Sequence, residues 1–139
     1  IDQIYLKEIV LLISSKNLDN NISIIQNCFN IEDRLTHYQL ALHSSKLEAG
    51  PLVLLEYLSQ GVPFLSFKTG EVVDKIKEIF PQFIVNDFIY QTWINQFNTL
   101  VNSDLEQVRG KMISYFNSNF SEKEYYKKCL KIYQSTPNS

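Results

Sequence analysis

The feature that most restricts the fold of this chain is an alternation. Short, continuously apolar runs rich in β-branched residues take turns with amphipathic stretches of helical period. Residues 8–14 and 22–26 read as buried strands, with residues 16–21 a polar turn between them. Residues 31–38 carry a helical period through Ile31, Leu35 and Tyr38, and residues 40–43 form a third strand. Residues 51–60 predict a helix with Leu52, Leu55, Tyr57 and Leu58 apolar, Pro51 suiting its first turn and Gly61 its left-handed stop. Residues 63–67 start a strand at a proline, 70–80 give another amphipathic helix ended by Pro81, and 83–85 a last short strand. From Tyr90 onward the pattern is helical. Trp93, Ile94, Phe97, Leu100 and Val101 form one stripe. Leu105, Val108, Met112, Ile113 and Phe116 form a second, and Tyr125, Tyr126, Cys129, Leu130 and Tyr133 a third. Strand and helix in turn, with short connections, mean β-α-β units. The expected architecture is α/β and Rossmann-like, a parallel sheet with helices on both faces.

Composition narrows the function. Thirteen Lys and Arg stand against 15 Asp and Glu, a formal net charge of −2. So even a balance gives no basic field, and nucleic acid is not an expected partner. A chain of 139 residues with 45% hydrophobic content is expected to form one domain, residues 1–139, with 103–139 as C-terminal helices. Cys28 and Cys129 lie far apart with no Cys-x-x-Cys pair, so neither a disulfide framework nor a zinc site is expected. No apolar run approaches the roughly 20 residues of a membrane span. The first residue is Ile1 rather than Met, from which a piece of a longer protein is expected.

In such sheets ligands sit at the carboxyl ends of strands, which directs attention to residues 44–56. Glu48 precedes a Gly50-Pro51 helix start, and Glu56 follows on that helix. Eight helical steps would span about 12 Å. A helix N-terminus at this edge favours a phosphate, and Gly50 permits close backbone approach. The arrangement suits a ligand with a phosphate in the middle and hydroxyl-bearing groups at both ends. A nucleotide sugar has that shape, since carboxylates bind paired hydroxyls.

Ser45, Glu48, Leu52, Leu55, Glu56, Gly61 and Pro63 stand in register with a signature running P-S-x-x-E-x-F-G-L-x-x-L-E-A-x-A-x-G-x-P-V-V. The stretch resembles the large family four of retaining glycosyltransferases, which have the GT-B fold, over roughly residues 8 to 102. The resemblance implies the C-terminal, donor-binding domain, working with an N-terminal acceptor-binding domain. It implies that Glu48 contacts the transferred sugar as the catalytic carboxylate and that Glu56 binds ribose hydroxyls. It places the backbone N–H groups of Leu52 and Val53 at the diphosphate, and Ser45, Gly50 and Gly70 at the donor. The substrate implied is a nucleotide diphosphate sugar, with no metal or other cofactor. The acceptor implied is a saccharide or lipid-linked molecule, with a cytoplasmic location, peripheral contact at the inner face of the membrane and bacterial surface-polysaccharide assembly as the setting. Ser44 stands in place of the signature proline, Gly50-Pro51 in place of Phe-Gly, and Tyr57 in place of Ala. Pro51 supplies no N–H to a phosphate. A sugar-nucleotide epimerase and a non-catalytic nucleotide-sugar module share the same architecture and are the alternative readings.

His37 and His43 are lone histidines, and His43, which ends the third strand, reads as a half-buried polar side chain. Lys68 reads as a solvated loop lysine. The basic, amphipathic residues 122–131 carry an aromatic stripe at helical spacing, which reads as core packing.

Overall fold

A computed structural model of the chain describes residues 2–135. The chain forms two compact units, residues 1–30 and 31–139.

The first unit is built on helix α1, Gln3–Ser15. Two strands were expected across residues 8–14 and 22–26, and the structure corrects both. Asp2 caps α1, its carboxylate accepting from the Ile4 N–H at 2.8 Å. The helix therefore begins well before the apolar run that reads as a strand by itself. Just past its end Asn17 takes φ 56°, its N–H bonding the Ser14 carbonyl while that of Leu18 reaches Ile13. Residues 22–26 pair with no strand among the described residues, and Ile22, Ile24 and Ile25 are exposed. Isolated apolar runs do not hold an extended ladder without a partner.

The second unit carries the sheet. Helix α2, Ile31–Leu35, is shorter than the 31–38 expected, although Leu35 is buried. Strands β1 (Ala41–His43), β2 (Phe64–Phe67) and β3 (Ile84–Val85) lie parallel in the order β1-β2-β3. The register pairs His43 with Ser66 and Ser66 with Ile84. Helices α3 (Leu52–Ser59) and α4 (Glu71–Ile79) make the two crossovers. Pro51 is the residue before α3 rather than part of its first turn. A short 3-10 turn, Pro81–Phe83, leads into β3. Helices α5 (Tyr90–Val101), α6 (Leu105–Asn119) and α7 (Glu122–Ser135) follow.

Side chains alternate across a strand, which shows what covers each face. Phe64 meets Tyr57 of α3, ring centroids 5.6 Å apart. Phe67, on the opposite face, meets Phe88, which stacks in turn on Trp93 of α5. The sheet thus has helices on both faces, and the first three residues of β2 are fully buried. The core gathers Leu54 and Leu58 of α3, Val73 and Ile76 of α4, Phe83, Leu100 of α5 and Met112 of α6. Leu42 of β1 is 60% exposed.

Gly61 ends α3 in the expected left-handed conformation, φ 63°. Its N–H bonds Leu58, and Val62 N–H bonds Tyr57 at 2.8 Å, which satisfies two terminal carbonyls.

The third aromatic stripe is not core. Tyr125 is 69% exposed and Tyr126 63%, and α7 buries no residue fully. Its polar side makes the attachment instead. Lys128 donates to the Asn119 carbonyl at 2.8 Å and lies over the Phe120 ring. Glu124, one turn earlier, pairs with Lys127 within the helix itself.

Candidate functional site

Three loops leave the carboxyl edge of the sheet: residues 44–51 after β1, 68–70 after β2 and 86–89 after β3. Two bonds join the first to the second. The Glu48 N–H donates to Thr69 Oγ1 at 2.9 Å, and the Glu71 N–H donates to the Ala49 carbonyl at 3.3 Å. Gly70 makes the approach possible. It has φ 81° and ψ 155°, a conformation open essentially only to glycine. A Cβ there would stand 2.7 Å from Pro51 Cδ and about as close to the Ala49 and Glu48 carbonyl oxygens, at 3.0 and 3.1 Å. The third loop is tied in by Lys46, whose Nζ lies 5.2 Å from the Phe88 ring centroid. Lys68 is exposed.

Glu48 therefore stands on a loop whose backbone is fixed from outside. Its carboxylate Oε1 is 3.8 Å from His43 Nε2, with side-chain exposures of 39% and 12%. Ser45 turns back locally, its hydroxyl donating to the Leu47 carbonyl at 3.4 Å. Gly50 is exposed beside Val72, in open space for close approach.

Leu52 and Val53 open α3, and no side chain caps that end. The first N–H groups of a helix have no partner within it, so this terminus presents donors beside the Glu48 loop. Glu56 stands one turn further along, in a groove of about 250 Å³ lined by Leu52, Leu55, Ser59, Phe116 and Phe120. Burial pushes the neighbouring Tyr57 phenol up, and the Glu56 charge adds to this. The structure thus brings Glu48, Ser45, Gly50 and Gly70 into one cluster of loops. Glu56 has different neighbours, on the α3–α6 side. A larger recess of about 530 Å³, lined among others by Ile79, Gln82, Lys111 and Tyr115, borders none of these residues.

Two participants escaped the sequence reading. Thr69 precedes the glycine of a loop, where a hydroxyl reads as solvated, yet it is buried and holds Glu48. Ser66 lies inside an apolar strand, and only its register with His43 brings the pair together.

Compared with known families, the chain matches the model for glycosyl transferases group 1 over residues 2–118. It belongs to that family. The match spans both the sheet and the loops that carry Glu48 and Gly70. As a group 1 glycosyltransferase domain it belongs with proteins that move a sugar from a donor to an acceptor, and its parallel α/β sheet accords with the C-terminal domain of the GT-B fold. No curated protein and no solved structure gave a match. Among the described residues, no helix of this glycosyltransferase domain is long and apolar enough to cross a membrane.

Proposed function

We propose that this glycosyltransferase domain binds a nucleotide diphosphate sugar at the carboxyl edge of its sheet, for transfer with retention to a saccharide or lipid-linked acceptor. The observation that carries the reading is the joining of the Glu48 loop to the Gly70 loop at the uncapped start of α3. The diphosphate would lie against the N–H groups of Leu52 and Val53, where the helix dipole offsets its charge. Glu48, with its backbone held and its carboxylate part-exposed, would meet the transferred sugar and stabilise charge developing there as the leaving phosphate departs. Glu56 would bind ribose hydroxyls, the nucleoside running along α3 toward the groove beside Phe116. Ser45 and Gly50 would line the diphosphate side.

The test is titration of the full-length protein with UDP, GDP and their sugars, followed by calorimetry. Binding of at least one, weakened by Glu56→Ala, supports the reading. Absence of binding to every one of them would overturn it.

A further inference from the structure

We propose that His43 is a positioning residue for the Glu48 carboxylate, anchored by Ser66. This rests on the reading of Glu48 as the carboxylate that meets the sugar.

His43 is the last residue of β1 and is paired in register with Ser66 of β2. Its Nδ1 lies 3.0 Å from Ser66 Oγ. Ser66 is fully buried, and its hydroxyl donates to the Phe67 carbonyl at 3.0 Å. A ring nitrogen either donates or accepts, and the Ser66 hydroxyl can answer it in both roles, so Nδ1 is held by Ser66 whichever tautomer is present. The other nitrogen, Nε2, faces Glu48 Oε1 at 3.8 Å. A carboxylate only accepts, so the contact orients Glu48 when the proton is on Nε2. The ring is mostly buried, so solvent screens this pair less than it would a surface one.

Glu48 is thereby fixed twice, by Thr69 through its amide and by His43 through its carboxylate. Lys46, the nearest lysine on that loop, is engaged over Phe88.

Nitrogen NMR of the histidine rings reads the pair directly on this chain. The expected His43 spectrum shows a proton on Nε2. Glu48→Gln should move the Nε2 resonance and Ser66→Ala the Nδ1 resonance. A His43 spectrum indifferent to Glu48→Gln would overturn the proposal. In the full-length protein, His43→Gln should lower kcat about tenfold, with donor KM changed less than about twofold. In a Glu48→Gln background it should cost little more, because a residue acting through another shows no independent effect. Additive losses would also overturn it. A wild-type protein that binds and turns over no nucleotide sugar would overturn the donor-site reading instead, and the ring spectra would still decide on the pair.

Discussion

The Glu48 amide and the Thr69 hydroxyl, 2.9 Å apart, tie the loop after β1 to the loop after β2. Thr69 is buried, so removing its hydroxyl leaves the Glu48 N–H without its acceptor. Thr69→Val should cost about 1 kcal/mol of stability and weaken donor binding, whereas Thr69→Ser should preserve both. Urea unfolding of the three proteins checks this, and a valine variant as stable as wild type would contradict it.

Two glycines take positive φ for different reasons, and their alanine variants should separate. At Gly70 a Cβ would meet Pro51 and two backbone oxygens, in a conformation other residues avoid. Gly70→Ala should cost roughly 2–4 kcal/mol. At Gly61 the Cβ would mainly meet the flexible end of Ile113, at 3.0 Å. Gly61→Ala should cost about 1 kcal/mol. Equal losses in denaturant unfolding would show that the packing against Pro51 is not what demands glycine.

The two glutamates should fail in different ways. Glu56→Ala is expected to weaken nucleotide binding by roughly 1–3 kcal/mol, the usual loss of a charged hydrogen-bonding partner. Glu48→Ala is expected to lower turnover in the full-length protein more than it lowers nucleotide affinity. Calorimetry beside steady-state rates distinguishes them, and a Glu56 variant of unchanged affinity would remove that residue from the ribose.

Tyr57 gives an alkaline prediction. Burial, then the charge of Glu56, raises the phenol above the ordinary tyrosine value. The folded state then holds this proton more tightly than the unfolded state. The stability linked to it is complete below about pH 10 and declines as the pH rises past that point. Tyr57→Phe should flatten the decline in unfolding measurements made between neutral pH and alkali.

The central architecture was legible because its signals are local. Leu55 and Leu58 mark a helix, Gly61 punctuates, and Phe64 and Leu65 make a short apolar run, all of which the structure places as read, although Leu52 of the expected apolar face is exposed and Leu54, which was not in it, is buried. The errors lie at the two ends, where local signal and tertiary context part. Around Ile9 and Val10 the apolar residues are continuous, and only the cap at Asp2, six positions before the run, discloses a helix. Residues 22–26 have the composition of a strand, but pairing is a property of neighbours. On α7 the tyrosines have core periodicity, yet they are exposed, and Lys128 on the polar side ties the helix to Asn119 and Phe120. The site was half legible. Glu48 and Gly50 share the loop to which the sequence directs attention, and Gly70, singled out by the resemblance, lies on the loop tied to it, while the hydroxyls of Thr69 and Ser66 acquire meaning only across the sheet.

The chain contains one tryptophan. Trp93 donates its indole N–H to the Asp87 carbonyl at 2.8 Å and stacks on Phe88, the ring beneath Lys46. Its fluorescence is therefore a native optical gauge of the loop that carries Glu48. A ligand that displaces Lys46 from Phe88 would change the emission of an unlabelled, unmodified protein.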